Sequence, residues 1–95
     1  MRREDMRWRC LQFLDAARPD GMTDSALLPL IRMIYPDATL KELRRELDYL
    51  GKADLFSIEP LAADLWQLHL TYHGIDLVEY TNDCPPGIGR PHFQE

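Results

Sequence analysis

Residues 39–51, TLKELRRELDYLG, constrain the fold of this 95-residue chain more than any other stretch. Leu40, Leu43, Leu47 and Leu50 recur at intervals of 3, 4 and 3, the period that lines one side of an α-helix. Thr39 followed three places later by Glu42 is a capping-box pattern at the N-terminal end, and Gly51 supplies a C-terminal stop. Such a helix must press its leucines against other elements of the chain. Its outward face then carries Lys41, Arg45 and Tyr49 in the middle, Arg44 and Asp48 on one flank, and Glu42 and Glu46 on the other.

The elements around it follow from the same patterning. Residues 4–17 place Met6, Cys10, Phe13, Leu14 and Ala17 on one helical stripe, leaving Trp8 and Leu11 outside it. Large apolar residues off the main stripe require either another element of the same chain or a contact in a homodimer, so Trp8 and Leu11 are candidate dimer residues. Arg18-Pro19-Asp20-Gly21 is a turn, and Met22-Thr23-Asp24-Ser25 offers good N-cap types for a second helix with Leu27, Leu30, Ile31 and Ile34 inward. Pro29 predicts that this helix starts late, is kinked or is partly irregular. Tyr35-Pro36-Asp37-Ala38 breaks the chain again before Thr39.

Beyond Gly51, residues 55–59 (LFSIE) and 65–70 (LWQLHL) predict a β-hairpin with a loop of about five residues. Thr71 can cap a last short helix over 72–80, with Ile75, Leu77 and Val78 available to a core. The final TNDCPPGIGRPHFQE, with its prolines and glycines, predicts an extended tail. The fold class expected is mainly α with a small β-hairpin, as one domain over residues 1–80 and a tail over 81–95.

Several function classes are disfavoured. No run of about 18 apolar residues occurs, nor an apolar stretch near the N-terminus, which predicts a cytoplasmic protein with no membrane partner. Cys10 and Cys84 are far apart and outside any CxxC pair, so a zinc site or disulfide framework has almost no support. His69 and His73 are four apart but straddle the strand–helix boundary, and His92 lies in the tail, so no metal or other cofactor is expected. Ser25 and Ser57 lack a nucleophile-elbow setting, and Gly87-Ile88-Gly89 lacks the lysine and flanking elements of a phosphate loop, so no enzyme is expected.

Charge is divided along the chain, and this matters more than the net value of −5. Residues 1–52 hold ten of the eleven basic side chains against nine acids, and residues 53–95 hold only Arg90 against seven acids. Any nucleic-acid surface must therefore come from the first half.

The order helix, helix, short turn, helix, hairpin, helix resembles the winged helix-turn-helix family over about residues 5–80. LRRELDYLGKADL is similar to that family's third helix running into its second strand, and LTYHGIDLVEY to the segment that follows the wing in MarR-like and ArsR-like regulators. The whole also resembles a small winged-helix family encoded by Mu-like phages and prophages. The resemblance implies a DNA-binding transcriptional regulator of phage or prophage type, its third helix in the major groove of double-stranded DNA with Lys41, Arg44, Arg45 and Tyr49 as contacts. Arg2, Arg3, Arg7 and Arg9 would add phosphate contacts from the N-terminus of a homodimer. The hairpin departs from the pattern: no Lys or Arg occurs from Ala53 to Gly89, while Asp54, Glu59 and Asp64 would repel phosphate. The alternative is a winged-helix adaptor for protein partners in phage assembly or host takeover, using the acidic hairpin, Trp8 and Leu11, and a tail extended across its partner.

Overall fold

A computed structural model describes residues 2–91 of the chain. It contains four helices, α1 (Arg2–Ala16), α2 (Asp24–Arg32), α3 (Leu40–Lys52) and α4 (Tyr72–Val78). Three antiparallel strands, β1 (Met22–Thr23), β2 (Phe56–Ala62) and β3 (Leu65–Leu70), form one sheet in the order β1-β3-β2. The architecture is a small mixed α/β domain, and its sheet has one strand more than the expected hairpin. Met22 and Thr23, expected only as a lead-in to a cap, pair with Leu68 and Gln67. A two-residue strand carries no alternation to detect.

α1 is the central helix. Met6, Trp8, Cys10, Leu11 and Leu14 are buried on more than one side of it, because α2 and α3 pack on one side and β3 and α4 on another. Its apolar residues spread beyond a single stripe because neighbouring elements cover more than one side, while Arg3 and Gln12 stay exposed. Trp8 and Leu11 are 4% and 0% exposed, covered by their own chain, with Tyr80 meeting the Trp8 ring edge-on at 6.0 Å between centroids. The expected homodimer contact through them is therefore corrected: a second copy cannot seat on these residues.

Burial also fixes the chemistry of Cys10. Removal from water, with the Glu46 charge adding to it, pushes its thiol well above the ordinary value. The folded chain thus favours the neutral thiol, a stabilising effect complete below the ordinary thiol pKa and lost as pH rises beyond it. With a thiol-reactive probe near neutral pH, the half-buried Cys84 should react first and Cys10 only on unfolding. Equal rates for the two thiols in the folded protein would contradict this packing.

α2 begins at Asp24, with Thr23 Oγ1 accepting the Ala26 N–H at 3.2 Å, and it runs through Pro29 without a late start. The missing proline N–H removes one intrahelical bond, and burial of Leu27 and Ile31 holds the helix regardless. In α3, Thr39 Oγ1 accepts the Glu42 N–H at 3.1 Å, but the Glu42 carboxylate turns away to Arg2, so the capping box is half made. Leu43, Leu47 and Leu50 are fully buried and Leu40 is half-buried.

Gly51 does not end α3, which runs on to Lys52, and the chain reverses at Asp54 with φ +60°. Gly51 serves the packing of β2: a Cβ there would stand 3.1 Å from Ile58 Cδ1. The hairpin loop is shorter than expected, because β2 extends through Pro60 to Ala62 and only Ala63 and Asp64 connect the strands. Pro60 is tolerated on this edge strand beside a register shift. Thr71 joins both ends of the hairpin to α4: its hydroxyl donates to the Asp54 carbonyl at 2.6 Å and accepts the Gly74 N–H at 3.1 Å.

Residues 81–91 have neither helix nor strand, yet they pack on the body where a free extended tail was expected. Ile88 is 5% exposed, the Gly89 N–H donates to the Glu4 carbonyl at 2.8 Å, and Arg90 donates to the carbonyls of Leu77 and Asn82. One apolar residue and a few backbone bonds attach this segment, a pattern too sparse to show as periodicity. His92 and the rest of the expected tail lie outside the described residues.

Candidate nucleic-acid interface

Three carboxylates decide which of the expected cations face water. The first is Glu46, which sits three residues after Leu43 and four before Leu50 and so falls inside the buried stripe of α3. It is 0% exposed, where an outward flank was expected. Its Oε1 accepts Arg7 Nε at 2.9 Å, and its Oε2 lies 3.3 Å from Arg45 Nε and 3.6 Å from Arg3 Nε. Arg7 is held twice more: it donates to the Gly87 carbonyl at 2.8 Å and lies 3.6 Å above the Tyr49 ring.

The second is Asp24, also 0% exposed, at the start of α2. It accepts Arg44 Nε at 2.7 Å and the Trp66 N–H at 3.1 Å, joining α2, α3 and β3. Arg44 covers the Trp66 ring at 4.5 Å, and its Nη2 is buried without a hydrogen-bond partner. The third is Glu42, which takes two hydrogen bonds from Arg2 at 2.9 Å each, with Asp37 taking two more at 3.0 and 3.2 Å. The bonds to Glu42 first, then Asp37, hold the Arg2 guanidinium further above its already high pKa. Arg2 also lies 4.6 Å over the ring of Tyr35. The Tyr35 hydroxyl donates to Asp5, and burial followed by that bond raises its pKa.

The expected DNA contacts therefore separate into two groups. Arg7 and Arg44 are internal staples, Arg2 is tied to Glu42 and Asp37 nearer the surface, and Tyr49 is half-buried beneath Arg7. Arg9 is partly exposed, with its buried Nε 3.5 Å from Asp5 and without a hydrogen bond. Lys41, Arg45 and Arg3 remain open: Lys41 is exposed with no ion pair among the described residues, and the Arg45 and Arg3 side chains are 58% and 57% exposed. Lys41, Arg45, Asp48 and Lys52 form the exposed strip of α3, with Lys52 paired to Asp48 at 3.0 Å.

Elsewhere on the described surface Arg18 and Arg32 are also exposed, and the hairpin is acidic. Asp54, Glu59 and Asp64 are exposed along the hairpin, and Asp64 reaches Arg44 only at 3.8 Å. Among the described residues no group of three or more His, Cys, Asp and Glu side chains assembles to hold a metal. His73 lies 3.6 Å from Asp54 instead. Also among the described residues, no helix is long and apolar enough to cross a membrane.

Comparisons with protein-family models, curated proteins and solved structures found no match.

Sequence reasoning placed the open cations and missed the two buried carboxylates. Glu46 was detectable, because its spacing from Leu43 and Leu50 is the spacing of the core stripe itself. Asp24 offered no such signal: its partners, Arg44 and Trp66, are 20 and 42 residues away.

Proposed function

We propose that the chain is a winged helix-turn-helix domain that binds double-stranded DNA as a transcription regulator, of the phage or prophage type its sequence resembles. The observation that carries the reading is the pair Lys41 and Arg45, one turn apart and exposed on a helix whose opposite side is sealed by leucines. Helix, strand, helix, helix, hairpin in that order, with a β1-β3-β2 sheet, supports the winged-helix assignment. In such a domain the third helix enters the major groove.

The footprint is small. Lys41 and Arg45 contact the groove edge, and Arg3 extends the cationic edge from α1. Arg45, whose own side chain is 58% exposed, meets the buried Glu46 at 3.3 Å, and Glu46 keeps its bond to Arg7 at 2.9 Å when Arg45 turns to a phosphate. Arg2, Arg7 and Arg44 orient this surface without leaving their carboxylates, and the hairpin stays off the DNA.

Counterion release tests this directly, since each phosphate neutralised on B-DNA contributes about −0.9 to the slope of log K against log salt. Three contacts give a slope of about −2.7, and Lys41→Ala with Arg45→Ala should remove about two units of it and weaken binding for every sequence. Fluorescence anisotropy with a labelled duplex reads both quantities. An unchanged slope in the double variant would take α3 out of the interface.

A second reading, a protein-binding adaptor, is favoured by the exposed carboxylates of the hairpin, Asp54, Glu59 and Asp64, which suit a basic partner. It predicts that the same double variant is silent and that neutralising the hairpin acids abolishes partner binding.

A further inference from the structure

An open groove of about 820 Å³ runs between the end of α1, the turn after it, β3 and the start of α4. That volume lies within the range of small-ligand sites, roughly 300–1,000 Å³. Leu14, Leu70 and Ile75 give it apolar walls, and Tyr72, an aromatic side chain on a residue 87% exposed, stands at its rim.

The turn forming one wall is built for close approach. Gly21 has φ +71°, and a Cβ there would fall 2.2 Å from the Leu68 carbonyl oxygen and 2.7 Å from the His69 ring. The Gly21 N–H donates to the Ala17 carbonyl at 3.0 Å, and Gln67 ties the Asp20 carbonyl to the sheet at 3.2 Å. The wall is therefore in place before any ligand arrives.

Charge identifies the ligand. The chain carries net −5, yet no carboxylate lines this groove. Its lining includes Arg18 and His69, and the His69 ring makes no hydrogen bond among the described residues. Asp15, on α1, meets Arg18 only at 3.6 Å with both side chains partly exposed, and Asp54 is turned to His73. The Thr71 hydroxyl is already committed to Asp54 and Gly74.

We propose that the groove binds a small amphipathic anion, an apolar or aromatic body carrying one carboxylate. The body lies against Leu14, Leu70 and Ile75 beside Tyr72, and the carboxylate meets Arg18 and His69, whose ring and guanidinium N–H groups are donors. No residue of α3 lines the groove, so this site and the DNA reading stand or fall separately.

The test is a backbone-amide NMR titration of the full chain with 3-phenylpropanoate, its neutral amide and the matching amine. A protein of net −5 attracts cations in bulk, so preference for the acid has to arise locally. The acid should give saturable shifts at residues 18–21 and 69–75, at least about tenfold tighter than the amide or the amine. Arg18→Gln, at an exposed position, should bring the acid down to the affinity of the amide and leave the amide unchanged. Equal binding of all three compounds, preference for the amine, or no saturable shift up to about 10 mM would overturn the proposal. So would shifts that follow protein concentration, the signature of a contact between copies.

Discussion

Replacing Glu46 by alanine should lower stability by about 3–5 kcal/mol, the cost of leaving a buried guanidinium without its counter-charge. Arg7 is the residue that suffers, since its side chain is 11% exposed and its Nε donates to Glu46 at 2.9 Å. Arg3 and Arg45 are more than half exposed and can turn to water. For a domain of this size about 4–8 °C accompanies each kcal/mol, so the thermal midpoint should fall by roughly 12 °C or more. Glu46→Gln, which keeps an acceptor for Arg7, should cost less. The pair Arg7→Met with Glu46→Leu should recover much of the loss, because a buried ion pair exchanged for packed apolar groups is often neutral or better. A Glu46→Ala variant as stable as the parent would show that Arg7 does not depend on this carboxylate.

Asp24→Ala should be the other costly change, about 3 kcal/mol, because it strips Arg44 of its partner and leaves the Trp66 N–H unpaired in a buried setting. Asp24→Asn retains an acceptor for Trp66 and should lose only the charge-assisted part. Chemical denaturation measures both, and amide exchange adds a local readout: Trp66 should lose protection in Asp24→Ala. A double-mutant cycle with Arg44→Met should show strong coupling, since the two side chains touch. Independent, additive effects would contradict the staple.

These two carboxylates, with Glu42, explain why Arg2, Arg7 and Arg44 add little to the positive surface. Most of its basic side chains lie in the first half, and the obvious expectation sends those of α1 and α3 outward to DNA. Arg2, Arg7 and Arg44 instead hold α1 and α3 to each other and to the sheet.

What the sequence discloses follows from how locally each feature is encoded. α3 was legible because its leucines and Thr39 act within one helix, although Asp54 rather than Gly51 reverses the chain after it. The hairpin was legible from two apolar runs, and its short loop was not, because Pro60 and Leu61 look like loop residues until an edge strand accepts them. Trp8 and Leu11 looked surplus on a single amphipathic helix; α4, β3 and Tyr80 supply the cover that one-helix periodicity does not contain. Lys41 and Arg45 project from α3 as the leucine register requires. Arg7 and Arg44 were misplaced because their partners lie in other elements, 39 and 20 residues away.

The measurement that bears most directly on the proposed winged-helix interface is a backbone-amide NMR titration of the intact chain with a duplex selected from random sequence at moderate salt. Shifts should concentrate at residues 39–46 and around Arg3, with residues 56–70 of the hairpin unmoved. Shifts confined to the hairpin, or none at saturating duplex, would contradict that interface.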